Sequence, residues 1–224
     1  MGQAIGEVLP MAVGVAISPV PIIAVILMLF TDRARRDSLA FLLGWLVAMA
    51  LALGVLIAVA STQELGAGSE PSDSVSWAKT ILGALSILLA VREWRRRPPP
   101  GTEATMPAWM EKIDATKPAA ALGLALALSV VNPKNLLLIA GGAVAIAQAD
   151  LSSSETAVAI LTFTAIGALG VAVPTLGYLF KGAAIQPTLD RSKAWLAANN
   201  TAVMAVLLLV IGATLLGKGL SSLL

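Results

Sequence analysis

The chain has 224 residues, of which 58% are hydrophobic and only 12% carry a charge, and its mean hydropathy is +0.87. Soluble domains have about 25% charged residues, so this composition predicts an integral membrane protein with small water-facing parts. Cysteine and histidine are absent, which excludes disulfides, thiol chemistry, histidine acid–base work and zinc sites that need either ligand. No basic segment precedes the first apolar stretch, so we expect no cleavable signal peptide.

Six apolar segments follow one another along the chain. Each is close to the roughly 20 residues that a membrane-spanning helix needs. Together they predict an all-α integral membrane protein with one transmembrane domain over residues 1–224. In chain order, the six predicted spans are residues 5–30, 38–60, 77–94, 118–147, 156–180 and 199–220.

Basic residues are concentrated in alternate loops, which follow the first, third and fifth spans. The positive-inside rule places such loops in the cytoplasm, so both termini are predicted to face outward. The opposite side has only Lys79 and Lys218, and Lys134 lies within the fourth span. The basic residues of the three loops are Arg33, Arg35, Arg36, Arg92, Arg95, Arg96, Arg97, Lys112, Lys117, Lys181, Arg191 and Lys193.

Residues 95–117 form the longest cytoplasmic connection in this topology. Three prolines and Gly101 near its start predict a stiff, non-helical spacer. The segment "PAWMEKI" can then form a short amphipathic helix on the cytoplasmic leaflet, with Trp109 among the headgroups. The alternative is a solvated linker whose arginines only fix the topology, and the sequence leaves both interpretations open.

The first and fourth spans each contain a capping residue followed at once by proline. These pairs are Ser18-Pro19 in "AISPVPIIAVILMLF" and Asn132-Pro133 in "SVVNPKNLLLIAGGA". Serine and asparagine are strong N-cap residues, and proline is favoured at the first helical position. Each pair therefore predicts a helix that starts midway through the membrane.

The two predicted breaks divide the chain into matching halves. Pro133 follows Pro19 by 114 positions, and two further spans follow each break. The pattern predicts two three-helix repeats, about 1–94 and 118–224, joined by the linker at 95–117. Because three is an odd number of spans, the repeats would have opposite orientations, as in many secondary transporters.

Two helix N-termini are thus predicted to face a common point at mid-membrane. Each offers unpaired backbone N–H groups and roughly half a positive charge, an arrangement that binds anions. Lys134 adds a full charge about 13 residues, or roughly 20 Å, from the outer end of its span. The alternative is that the prolines only kink two helices and that Lys134 extends toward an interface. The candidate substrate-binding residues at the breaks are Ser18, Pro19, Asn132, Pro133, Lys134 and Asn135.

None of the thirteen acidic residues lies clearly at the predicted midplane. A dehydrated metal cation prefers carboxylate oxygens, so cation transport is disfavoured and neither a metal site nor a cofactor is predicted. No acid is placed as an evident partner for Lys134, which leaves its charge for a substrate anion or for loss of its proton. Glu7, near the outer end of the first span, has either a coupling role or a place at the outer interface.

The proline motif of the first span and the "NPK" of the fourth resemble the superfamily of lysine exporters and related carriers. More closely, "MGQAIGEVLPMAVGVAISPVPIIAVILMLFTDRARRDSLAFLLGWL" and "ALALSVVNPKNLLLIAGGA" are similar to the GAP family. These are the glycolipid-addressing and sulfolipid-addressing proteins of mycobacteria and related actinobacteria. The resemblance covers essentially the whole chain. The motif residues that carry over are Ser18, Pro19, Val20, Pro21, Asn132, Pro133 and Lys134.

The resemblance implies an inner-membrane protein that helps to move envelope glycolipids toward the cell surface. Its implied partners are a lipid substrate, a large lipid transporter and biosynthetic enzymes. Metal-transporting relatives in the wider superfamily use acidic motifs in the corresponding helices, and this chain lacks them.

The leading prediction is a carrier or flippase-like accessory for a lipid with an anionic or polar headgroup. Two alternatives stay open: an exporter of an amino acid or small organic anion, and a non-transporting scaffold of a lipid-export complex. A lateral gap between helices would favour a lipid, whereas a closed aqueous pocket would favour a solute. The chain has no Walker motif, which argues against intrinsic ATP use. An enzyme is not predicted, because no acid pair or nucleophile–base set is evident. Nucleic acid is not an expected partner, and an oligomer is compatible with the sequence.

Overall fold

The structure is a computed structural model that describes residues 2–62, 73–97 and 118–222. Every regular element in these ranges is helical, and most of the predicted linker, including Trp109, lies outside them. The elements are α1 Gly2–Ala16, α2 Pro19–Met28, α3 Ala34–Thr62, α4 Asp73–Arg95, α5 Pro118–Val130, α6 Pro133–Ala147, α7 Ser153–Gly167, α8 Leu169–Lys181, a 3-10 turn Gly182–Ile185, and α9 Gln186–Ser221.

Both predicted helix breaks are present. Pro19 is the first residue of α2 and Pro133 is the first residue of α6. The chain bends by 50° between α1 and α2 and by 66° between α5 and α6. A proline ring removes one backbone donor and clashes with the preceding turn, so each helix ends before the proline and a new one starts in a new direction.

Within the described residues, two helical stretches are long and apolar enough to cross a membrane. They are Ala34–Ser61 and Leu169–Ser221, and there are four such stretches if each bent pair is counted as one span. The six spans are therefore confirmed only in part. The second stretch contains α8 and α9, and the two are separated at Gly182, which has a φ of 58° that favours glycine.

Apolar side chains face outward on both sides of the bundle as well as inward. Exposed residues recur at every fourth position along one stripe of α3, where Leu51 is 62% exposed. Such a surface is unfavourable in water but suited to lipid, so the helices are those of a membrane protein. The stripe consists of Leu39, Leu43, Val47, Leu51, Val55 and Val59.

Several basic residues meet at one end of the bundle, which we call the basic end. Arg33, Arg35 and Arg36 share a surface cavity with Tyr178, and the Lys193 ammonium lies 5.1 Å from the centre of the Phe30 ring. The end that carries Glu7 and Lys218 we call the opposite end.

Helices α4 and α9 pack closely and antiparallel to each other. A Cβ atom at Gly83 would lie 2.9 Å from the Gly212 oxygen, and one at Gly219 would lie 2.9 Å from the Ser76 oxygen. Small residues of this kind let membrane helices approach backbone to backbone. The resulting seam joins the third and sixth predicted spans along most of their length.

The fifth predicted span is interrupted before its proline. The break lies at Ala168, between α7 and α8, whereas Pro174 lies inside α8. The Trp45 side-chain N–H donates to the Gly167 carbonyl over 3.4 Å, so a partner from α3 meets the end of α7. Neither a capping residue nor a proline marks this break in the sequence.

Candidate substrate site at the two helix breaks

The first break is buried and its cap residue makes no cap hydrogen bond. Ser18 has the N-cap backbone conformation, with φ −64° and ψ 113°, but its side chain bonds to no backbone N–H of α2. Its Oγ atom is buried and has no hydrogen-bond partner among the described residues. Pro19 and Pro21 are buried and Val20 is half-buried, so this break belongs to the interior of the bundle.

The second break has the same backbone conformation and a working cap. Asn132 has φ −71° and ψ 112°, and its Oδ1 accepts a hydrogen bond from the Lys134 backbone N–H over 3.3 Å. Unlike Pro19, Pro133 is exposed. The N-cap prediction is thus confirmed for both backbones and for only one side chain.

Asn135 joins the two helices of the second break. Its Nδ2 donates to the Leu128 carbonyl of α5 over 3.2 Å, which provides a partner for an acceptor at the end of that helix. Its Oδ1 is buried, and no residue that the structure describes is its hydrogen-bond partner. This bridging role was not predicted, although a polar residue three positions after the cap and inside an apolar run was the available signal.

The two breaks lie at the same level of the bundle. A Cβ atom at Gly14 would lie within 2.9 Å of Leu138, and one at Gly141 would lie 3.4 Å from Met11. These contacts make α1 and α6 antiparallel, so the end of α1 lies beside the start of α6. On the other side of the breaks, α2 contacts α5.

The Lys134 ammonium points into the half of the bundle near the basic end. Its Nζ atom contacts the Met204 sulfur of α9, and the Glu93 carboxylate of α4 is close enough to attract it. A thioether sulfur is only a weak acceptor, so most of the donor capacity of Lys134 is unused by the described residues. No acidic partner for Lys134 is evident in the sequence, and the close packing of α4 on α9 brings Glu93 into its neighbourhood.

The second break opens to the surroundings of the bundle. Val131, directly before the cap, is 75% exposed, and Leu136 in the first turn of α6 is also exposed. Lys134 and Asn132 beside them are half-buried. A molecule at the surface can therefore approach this polar group from the side.

The first break is held by close backbone packing. A Cβ atom at Gly170 would overlap the Ala16 carbonyl oxygen at the end of α1. Only glycine allows α8 to approach this carbonyl so closely. The first and fifth predicted spans are therefore in contact at their respective breaks.

Glu7 lies away from both breaks. It forms an ion pair with Lys218 at the opposite end, with 3.2 Å between Oε1 and Nζ. The structure therefore places the two predicted breaks at the same level of the bundle and leaves the possible coupling residue apart from them. In the described part of the chain, no group of three or more acidic side chains is placed to hold a metal ion.

The exposed apolar helices and the two bent pairs define an all-helical membrane protein with polar residues at breaks inside two of its spans. The model of a protein family described as "Sap, sulfolipid-1-addressing protein" matches residues 8–221, and the chain belongs to that family. The match includes both breaks and confirms the predicted resemblance to the lipid-addressing proteins. No curated protein and no solved structure matches the chain.

Proposed function

We propose that this protein is a carrier, or a flippase-like accessory, that moves an envelope glycolipid across or out of the inner membrane. Its substrate has an anionic or polar headgroup, in agreement with the sulfolipid in the name of the family. The basic end faces the cytoplasm and both termini lie outside, as the positive-inside rule requires.

The exposure of the second break at the side of the bundle is the observation that carries the proposal. A lipid headgroup can reach Lys134 past Val131 and Pro133, which are exposed, while its acyl chains stay in the bilayer. A site for a small soluble anion does not need to be exposed at the side of the bundle. The lipid is therefore favoured over the amino acid or organic anion.

Charge and hydrogen bonding define what the site can hold. The Lys134 ammonium supplies a full positive charge, and the start of α6 adds the partial charge of a helix N-terminus. An acidic headgroup would replace the weak contact to Met204 with a charge-assisted hydrogen bond.

Movement of the lipid requires the site to open toward each side in turn. In our proposal, the six spans form two inverted three-helix repeats that rock about the breaks. The pairing of α1 with α6 and of α2 with α5 supports such a plan, because exchanging the two broken spans turns the first pair into the second. The tight seam between α4 and α9 joins the third helix of each repeat.

Lys134→Met tests the proposal in vesicles that contain the purified full-length chain. The assay measures movement of a fluorescent sulfated glycolipid between leaflets, with a neutral glycolipid as a second substrate. We expect the rate for the sulfated lipid to fall at least about tenfold, equivalent to about 1.4 kcal/mol, whereas Lys134→Arg retains most of it. Lys193→Met is the matched control, because Lys193 already pairs with Asp190 over 3.0 Å.

Two results would contradict the proposal. Unchanged movement of the sulfated lipid by Lys134→Met would show that this ammonium binds no headgroup. Absence of movement by the wild-type chain, with restored movement when a large lipid transporter is added, would favour the scaffold. In that case the biosynthetic enzymes and the transporter would be the functional partners.

A further inference from the structure

We infer that the opposite end of the bundle carries a second anion-binding site, formed by Lys79 and Lys218 with Glu7 as an internal competitor. The ligand is a sulfate-like or phosphate-like oxyanion, either free or as a lipid headgroup. The inference goes beyond the proposed function, because it concerns different residues at the other end of the molecule.

The three side chains come from distant parts of the sequence. Lys218 and Glu7 form the ion pair, and Lys79 of α4 is close enough to interact electrostatically with both. Lys79 and Lys218 are also the two basic residues that the topology leaves on the side away from the basic loops. The fold therefore gathers these rare lysines around one carboxylate.

The cluster has more positive than negative charge. Two ammonium groups share a single carboxylate, and among the described residues Lys79 has no carboxylate within 4.0 Å. A half-buried charge without its own partner is unfavourable, and an added anion would relieve that. The lysines are thus not merely neutralised by Glu7, and the cluster retains one unbalanced positive charge.

A small cavity beneath the three charges gives the anion a place to bind. It has a volume of about 20 Å³ and is lined by residues of α1, α4, α6 and α9, including Met11, Gly141 and Ala145. This volume holds about one water molecule, so an oxyanion fits only if the Glu7 carboxylate moves aside. Glu7 is partly exposed, with 29% of its side chain accessible, and has room to turn outward.

The surrounding walls strengthen the attraction for an anion. They are largely apolar, and charges interact more strongly in such surroundings than in bulk water. The Glu7 carboxylate, paired with Lys218, occupies the position that we assign to the ligand. Removal of its charge should therefore improve anion binding, whereas loss of either lysine should weaken it.

Equilibrium dialysis of radiolabelled inorganic sulfate against the full-length chain in an uncharged detergent tests the site. Lys134→Met serves as the background, so that the proposed site at the breaks does not contribute. We expect Lys79→Gln to weaken sulfate binding about tenfold and Glu7→Gln to strengthen it about tenfold. Lys193→Gln should leave binding unchanged, and the unfolding midpoint of each variant checks that it remains folded.

A second arm uses a sulfated alkyl glycoside in the micelles, with the neutral glycoside as its control. Competition by the sulfated glycoside identifies a lipid headgroup as a ligand, and sulfate binding without that competition identifies a free anion. No binding of either probe, or no gain from Glu7→Gln, would overturn the inference. A purely structural ion pair would lose stability in Glu7→Gln without any gain in binding. Failure of this site leaves the lipid-movement assay of Lys134 unaffected, so the two proposals fail separately.

Discussion

The two breaks use the same backbone geometry but differ in their side chains. Ser18 and Asn132 have nearly equal φ and ψ angles, and each precedes a proline that starts a helix. The first break is buried and lacks a side-chain cap, whereas the second is exposed, capped and bridged by Asn135. The two breaks therefore share a backbone geometry but differ in exposure and hydrogen bonding.

This difference suggests that the two breaks have separate roles. At the first break, close packing against Gly170 replaces the missing cap. At the second, hydrogen bonds from side chains hold the bend, which frees its surface for a ligand. In our proposal, the first break is the closely packed side of the substrate site, and the second break is the side that binds the headgroup.

Gly170→Ala should have the largest effect on stability. The added Cβ would overlap the Ala16 carbonyl oxygen, and backbone cannot move aside as a flexible side chain can. We expect a loss of about 3 kcal/mol, at the upper end of the usual penalty for overpacking. Unfolding of the purified protein with increasing SDS measures it.

Gly217→Ala is the control for that substitution. Position 217 lies in α9, and no atom lies within 4 Å of an added Cβ there. Alanine in a helix should leave stability unchanged or raise it by up to about 1 kcal/mol. Equal midpoints for Gly170→Ala and Gly217→Ala would disprove the claim that packing holds the first break.

Asn135→Ala should have the next largest effect. It removes the bond to Leu128 and leaves that carbonyl without its partner, which costs about 1–3 kcal/mol. The same SDS titration detects the loss. Asn135→Gln is a useful companion, because it keeps the amide but displaces it, and full stability in both variants would show that the bridge does not hold the bend.

The two cap residues should respond differently to alanine. Asn132→Ala loses a real cap bond and should cost about 1 kcal/mol. Ser18→Ala removes a buried hydroxyl without a partner, so stability should stay equal or rise slightly. A similar loss in both variants would remove the contrast between the breaks, whereas slower lipid movement in a fully stable Ser18→Ala would assign its hydroxyl to the substrate.

Local rules predicted the breaks, because a cap and a proline determine backbone geometry within a few residues. Lys134 was also recognisable, as a charge inside an apolar run. The contact of Lys134 with Met204 and its position near Glu93 depend on packing between α4, α6 and α9. No short segment of sequence encodes that packing. The same holds for the Glu7–Lys218 pair and for the break at Ala168, where tertiary contacts rather than a proline interrupt the helix.

The start of α7 provides a third helix terminus for comparison, outside the proposed spans. Ser152 and Glu155 form a capping box there, and the hydrogen bonds from Ser152 lower the pKa of the Glu155 carboxyl. A lowered pKa stabilises the folded state at pH values above the pKa of the unfolded chain, which is about 4.3 for glutamate. This stabilisation is lost as the pH falls through the pKa of the folded state. Glu155→Gln should thus remove a small part of the acid sensitivity of unfolding below about pH 4.3.

Asn132→Ala should leave the acid sensitivity of unfolding unchanged, because its cap bond joins an amide to a backbone N–H and neither group titrates. A loss of acid sensitivity in Asn132→Ala would show that the breaks depend on a titrating group.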